Sequence, residues 1–387
     1  MEKQYLIKVY RANGNYLTTW SDASPSGFTA DINGGLGSMT FALARPFDNF
    51  GENNDVKLNN DVRVTVHDSE TSGAGTLIYS GYISQYSPFI DGKSEGVQVT
   101  CLGYASKLAS DIYKNGTTVA MAHSSVDVSV MVKDIIDKYR AANSDAKINY
   151  SSGSVSTTGN TASYTFNLKS YREAIEKARD MSPANWYWYI DANNVFYFEE
   201  KNSQADHTFT FGKNIKSIKV TKSIEQIKNI FYFWNGLATG DPNLIFKEYK
   251  DTTSMADYSR RADNKTDGRV IVSGTADLWG NSFIAENKDP VTEITIELVD
   301  SNINTDTGYD IESLKPGQTC RILNINPSSQ QTFTKYDNFQ IIQVNYKFDS
   351  AELVLETRIK GAAQTLVDDI QELQSTEVEN TPTTYTT

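Results

Sequence analysis

Residues Leu58–Val66 read LNNDVRVTV, and Leu314–Ile322 read LKPGQTCRI. Each is a leucine, a turn, then an alternating strand. After a loop, each is followed by a strand that ends on tyrosine, GYISQY (Gly81–Tyr86) and IIQVNY (Ile341–Tyr346). A return strand ending on glycine comes next, VQVTCLG (Val97–Gly103) and LVLETRIKG (Leu353–Gly361). Few identities link the two sets; their order does. Two copies of one β-barrel unit would give this order, and so would any two unrelated antiparallel hairpins.

Outward from the first copy, the N-terminal hundred residues read as strands and turns. Gln4 to Arg11 alternates, and Gly27–Ile32 and Ser38–Leu43 flank the turn signal Asn33-Gly34-Gly35. Helical character begins later. Val128, Met131, Val132, Ile135, Ile136 and Tyr139 share one stripe of a helix over Ser124–Ala142, with Ser125 as its expected N-cap. Ser170-Tyr171-Arg172-Glu173 is a capping box that opens a second helix, closed by Pro183. The polar stretch Ser151–Ala162 between them reads as a loop. Directly after the second helix comes NWYWYIDANNVFYFEE (Asn185–Glu200), a hairpin about the turn residues Asp191–Asn194. Trp186, Trp188 and Ile190 lie on one face and Tyr187 and Tyr189 on the other. A strand pair apolar on both faces needs cover on both, and the preceding helix is the natural cover for one.

The expected class is therefore mainly β with an α/β insertion. Residues 1–108 form a first barrel, 109–206 an α/β domain, and 207–235 with 290–360 a second, discontinuous barrel. Residues 236–289 form a polar, turn-rich inserted domain with a short helix expected near Asp257–Arg261. Residues 361–387 offer a helical pattern and then a Glu/Asn/Thr/Pro tail, which is disordered alone, joins a partner, or links to a further domain.

The chain of 387 residues carries a net charge of −12, so phosphate neutralisation does not draw nucleic acid to it. It can still border a passage through which nucleic acid slides. The abundance of Tyr, Phe, Gly, Thr and Val favours strands. With only two cysteines, Cys101 and Cys320, a disulfide framework is excluded, and two buried thiols are expected. No apolar run is long enough to span a bilayer, and the charged, alternating N-terminus lacks the apolar core of a signal peptide.

Taken together, NGGLGSMTFALARPFDNFGENNDVKLNNDVRVTV, LIYSGYISQYSPFIDGKSEGVQVTCLGYASKL, YREAIEKARDMSPANWYWYIDANNVFYFEEK, and LKPGQTCRILNI with IIQVNYKFDSAELVLET resemble the baseplate hub or tail-tip hub proteins of long-tailed bacteriophages and related contractile injection systems. The resemblance spans nearly the whole chain and rests on diffuse fold patterns, with no invariant catalytic motif. It implies two tail-tube-like barrels per subunit and a homotrimer that forms a pseudo-sixfold ring at the distal end of a virion tail. It further implies a tail-tube or distal-tail neighbour on one side, a tip, spike or fibre protein on the other, and a central channel for DNA or effectors. Three copies would bring −36 formal charges to that ring, three times −12.

Candidate chemistry is sparse. Gly92-Lys93-Ser94-Glu95-Gly96 matches G-x-S-x-G, but it lies between two strands and lacks the strand–turn–helix setting that a nucleophile elbow needs. Asp300-Ser301-Asn302-Ile303-Asn304 opens like a calcium loop, yet Thr305 and Ile311 stand where Gly and the bidentate Glu belong. His67, His123 and His207 are isolated, and Glu199 and Glu200 face opposite sides of a strand. Gly34-Gly35-Leu36-Gly37 lacks the Lys-Ser/Thr ending of a phosphate loop. No enzyme activity, cofactor or metal is expected of this chain. The residues expected at subunit or partner contacts are Phe47 and Phe50 in a loop, Tyr187 and Tyr189 on the hairpin, and Leu366, Ile370 and Leu373 at helical spacing. The alternative function is a surface carbohydrate-binding, adhesin-like β protein stacking sugars on exposed Trp and Tyr, Trp186 and Trp188 foremost.

Overall fold

The computed structural model describes residues 3–45, 55–67, 75–90, 92, 94–144, 146–301, 304, 306–323, 339–348 and 350–357. Seven strands come first: β1 (Gln4–Tyr10), β2 (Tyr16–Trp20), β3 (Ala23–Asp31), β4 (Gly35–Leu43), β5 (Asp61–His67), β6 (Thr76–Ile90) and β7 (Glu95–Gly103). The middle holds β8 (Ala120–Asp127), α1 (Val128–Ala142), β9 (Thr161–Asn167), α2 (Tyr171–Asp180), β10 (Trp186–Ile190) and β11 (Phe196–Glu200). Then follow β12 (His207–Thr210), β13 (Ile215–Ser223), β14 (Ile230–Trp234), β15 (Phe246–Lys250), α3 (Thr252–Tyr258), β16 (Ala262–Thr266) and α4 (Ser273–Asn287). The last four strands are β17 (Val291–Val299), β18 (Thr319–Leu323), β19 (Phe339–Tyr346) and β20 (Ser350–Thr357).

The protein is mainly β, and its strand order contains the repeat. One half runs β3-β4-β7-β6-β5-β1, with β2 beyond it, and the other runs β13-β17-β20-β19-β18-β12. The stretches LNNDVRVTV and LKPGQTCRI lead into the matching strands β5 and β18. The stretches expected to end on tyrosine lie in β6 and β19, but only β19 ends there, since β6 runs on from Tyr86 to Ile90; the returns are β7 and β20. Where β3 turns directly into β4 through Asn33-Gly34, the second half inserts β14 to α4 between β13 and β17. One pairing breaks the parallel between the halves: β1 meets β5 antiparallel, whereas β12 meets β18 parallel.

The halves are not separate sheets. Gln343–Tyr346 of β19 pairs antiparallel with Phe28–Asp31 of β3, fusing both into one 13-stranded sheet. Phe28 stacks on Tyr346 across this joint, with ring centroids 5.0 Å apart. The approach is so close that a Cβ on Gly27 would lie 2.0 Å from the Tyr346 carbonyl oxygen. A single apolar core runs under both halves, from Val9 and Phe41 to Ile296 and Leu355, and it holds both buried cysteines.

A second core joins the middle segment to the insertion, with Ile135, Ile175, Trp188, Phe231 and Trp279 in contact through it. This moves a domain boundary. β14, expected in the second barrel, lies between β15 and β16 in a three-stranded sheet of the insertion. Ile230, Phe231 and Phe233 of its Ile-Phe-Tyr-Phe-Trp run are buried, and Phe231 stacks on Phe283 of α4 at 4.3 Å. The insertion is also more helical than its composition suggests. The 15-residue α4 contains two glycines and scattered polar residues, which hide its period. The short helix expected near Asp257–Arg261 ends at Tyr258, because Ser259 turns out of the helix at φ 64°. Likewise α1 is capped by Asp127 in place of the expected Ser125, which takes a positive φ of 49° within β8.

Candidate functional site

The aromatic hairpin β10–β11 sits where three parts of the molecule meet. The capping box at Ser170 forms as read, and α2 covers the tryptophan face. Arg179 Nε donates to the Trp186 carbonyl at 3.2 Å, and the Arg172 guanidinium lies over the Trp188 ring. On the strand edge, the β3–β4 turn docks: Asn33 N–H donates to the Trp188 carbonyl at 2.7 Å, and Trp188 N–H donates to Asn33 Oδ1 at 3.2 Å. At the hairpin tip, Asp191 Oδ1 accepts from the N–H groups of Asn193 and Val195, both at 2.9 Å. Ser80 Oγ on β6 donates to the Ala192 carbonyl at 2.6 Å. These contacts reach the first half of the sheet.

The tyrosine face meets the second half. Tyr187 and Tyr189 are only 5% and 6% exposed, so the subunit itself covers the pair expected to contact a partner. The physical reason is the tight turn before β18. A Cβ on Gly317 would lie 2.0 Å from the Tyr187 ring, so this glycine lets the turn close over the tyrosine. Tyr187 OH donates to Glu199 Oε1 at 2.6 Å, and Tyr189 stacks on Tyr197 at 4.6 Å with ring planes 5° apart. Burial, reinforced by the Glu199 carboxylate, pushes the Tyr187 hydroxyl well above its ordinary pKa. Trp186 and Trp188 are buried as well, which removes the stacking platform of the carbohydrate-binding alternative. Phe47, Phe50, Leu366, Ile370 and Leu373 lie outside the described residues.

Two carboxylate-centred ties join distant segments, one an ion-pair clamp and the other a tyrosine hydrogen bond to an ion-paired aspartate, and neither is visible as a motif. Lys3 Nζ, buried ahead of β1, donates to Asp300 Oδ1 at 2.7 Å and to Glu312 Oε1 at 2.7 Å, clamping the N-terminal segment to the second half. Burial works against the Lys3 charge, but the bonds to the two carboxylates outweigh it and raise its pKa. Asp300 thus serves as an ion-pair partner of Lys3. In the insertion, Asp267 receives a bidentate Arg269 at 2.6 and 2.7 Å and the Tyr164 hydroxyl of β9 at 3.1 Å. Burial pushes the Asp267 carboxyl up, and the Arg269 bonds more than reverse this, leaving it below its ordinary value.

The remaining sequence motifs do not converge on a reaction centre. Gly92 stands in the turn between β6 and β7. His207 lies 2.8 Å from both the Tyr309 hydroxyl and Gln318 Oε1, and His123 lies 2.9 Å from the Tyr113 hydroxyl. Among the described residues no group of three or more His, Cys, Asp or Glu side chains is arranged to hold a metal ion. No helix among them is long and apolar enough to cross a membrane. The hairpin, the Gly317 turn and the two carboxylate-centred ties hold the halves and the insertion in one fixed arrangement.

The fold has counterparts among solved structures. The 43 kDa tail protein of prophage MuSo2 from Shewanella oneidensis matches with a TM-score of 0.57 at 12% identity, over 94% of this chain and 99% of that one. The chain has the fold of phage tail proteins. A tail protein from Neisseria meningitidis MC58 matches with a TM-score of 0.57 at 12% identity, over 91% of this chain and 96% of its own. Prophage tail protein gp18 from Listeria monocytogenes EGD-e matches at 0.56 and 11%, over 97% and 100%. No family model matches the sequence, and no curated protein does. The tail-protein fold therefore includes the middle segment and the insertion as well as the sheet, since the matches cover almost all of each chain.

Proposed function

We propose that this protein is a structural component of a phage-type tail, and that three copies form the hub between its tube and its tip. The observation that carries this reading is the fold shared with three tail proteins along nearly the full length of each chain. The doubled strand order supports the trimer. A protomer with two like halves gives a ring of three copies six like units, which suits a sixfold tube on one side and a threefold spike or fibre on the other. The hub would sit at the distal end of the tail and line the path of ejected DNA or effectors. The net charge of −12 per copy suits a lumen through which polyanions pass without sticking. The protein's role in this reading is geometric, with no covalent step.

Native mass spectrometry with negative-stain imaging tests the reading. A particle of three copies with a threefold ring is expected. A chain that stays monomeric at high concentration, with no ring in any view, overturns it.

A further inference from the structure

The insertion carries a second aromatic feature, and this one is open to solvent. Alternation along β14 sends Phe231 and Phe233 under α4 and leaves Tyr232 and Trp234 on the opposite face. In register with them, Trp234 stands between Phe246 and Thr266, and Tyr232 between Glu248 and Asn264. Trp234 and Phe246 are 42% and 60% exposed, unlike every ring of the β10–β11 hairpin. The Tyr232 and Phe246 rings run parallel, 10° between planes and 6.2 Å between centroids. Trp234 is fixed as well, because its indole N–H donates to the Leu237 carbonyl at 2.9 Å. Tyr232, Trp234, Phe246, Asn264, Lys265 and Thr266, with Thr239 and Leu244 as walls, line an open concavity of 520 Å³, and Glu248 stands outside this lining, two residues along β15 from Phe246.

The surroundings decide what this concavity takes. Charges bordering it are already compensated: Glu248 lies 3.6 Å from Lys250, and Lys265 turns away to Asp180 at 3.2 Å and the Trp279 ring. A neutral ligand suits such a surface, and a polyanion finds no excess positive charge there. The size is that of a small-ligand site, in the range of roughly 300–1,000 Å³. A stable protein partner would need about 800 Å² of surface on each side, far more than three rings supply. Pre-fixed, parallel rings flanked by an amide, a carboxylate and hydroxyls match one chemistry best. Pyranose rings present a C–H face that stacks on aromatic rings and a rim of hydroxyls that both donate and accept.

We propose that the outer face of the β15-β14-β16 sheet is a binding site for a neutral oligosaccharide, stacked on Trp234, Phe246 and Tyr232 and hydrogen-bonded by Glu248, Asn264 and Thr266. This site is separate from the buried hairpin and does not depend on the tail reading.

Titration calorimetry of the full chain with chitopentaose, maltopentaose and cellopentaose tests it, with hyaluronan oligomers as an anionic comparison. At least one neutral pentamer is expected to bind, and to bind better than the anionic one. Trp234→Ala and Phe246→Ala should each weaken that binding by about tenfold or more. Glu248→Gln and Asn264→Ala, milder changes at exposed positions, should weaken it by a smaller factor while circular dichroism and the melting temperature stay as in the wild type. The proposal falls if none of the three neutral pentamers binds, or if binding survives unchanged in both ring variants. It also falls if the ring variants abolish self-association of the chain, since the face would then be an interface between copies.

Discussion

Single residues set the tolerances of the junction. Gly317 has φ 90°, a region costly for side chains, and it has no room for a Cβ beneath Tyr187. Gly317→Ala combines backbone strain with overpacking and should destabilise the protein by about 2–4 kcal/mol, read from the urea midpoint at unchanged slope. Asp267 is the second such residue. Its carboxylate is buried and compensated by Arg269, so Asp267→Asn leaves a half-buried guanidinium without its counter-charge and should cost about 3 kcal/mol. The sign of the pH effect follows from the depressed folded-state pKa. The stabilisation is complete above the unfolded value of about 4 and is lost as pH falls through the lower folded value. Melting curves of the wild type should therefore lose stability in that acid range more steeply than those of Asp267→Asn.

Elements were legible where a local rule sufficed. The capped α2 and the alternating hairpin depend on neighbours within a few positions, and both formed as read. The cap of α1 lies two residues beyond the expected Ser125, at Asp127. Asp127 won the cap because its carboxylate accepts not only from Ser129 N–H at 2.8 Å but also from the N–H groups of Thr158 and Gly159, which lie distant in sequence. Asp127→Ala should thus cost about 2 kcal/mol, the upper end for a cap, by thermal melting. Ser125→Ala should cost little, since that hydroxyl caps nothing. The helix α4 carries little periodic signal, because its buried face mixes Thr275, Gly280 and Ser282 with Ala276, Trp279 and Ile284. The aromatic platform on the insertion was equally obscured. Trp234 and Phe246 are twelve positions apart and become neighbours only through β14–β15 pairing.

On the scale of the whole molecule, the protein is a doubled sheet closed by contacts between its ends. Lys3 reaches residues 297 and 309 positions away, Asp300 and Glu312. Lys3→Ala leaves two carboxylates buried without their shared cation and should destabilise the protein by about 3–5 kcal/mol. The loss should appear as a lowered midpoint of cooperative unfolding followed by tryptophan fluorescence. Tail proteins from three bacteria share the fold at 11–12% identity. At such divergence, what persists is strand order and pattern.

The mainly β class, the capped α2 and the two-faced hairpin follow from periodicity or spacing within a short window. The two-part repeat is an order of distant segments that two unrelated hairpins would also give, and the strand order of the sheet decides it. Tertiary structure alone decided that β19 joins β3, that β14 leaves the second half for the insertion, and which aromatic rings stay exposed. The hairpin shows why. Alternation assigned Trp186 and Trp188 to one face and Tyr187 and Tyr189 to the other, but exposure depends on what arrives to cover each face. Here α2 covers one and the Gly317 turn, more than a hundred residues downstream, covers the other. The rings of β14 and β15 meet cover on one side only, so the exposed aromatic face lies where no short window could reveal it.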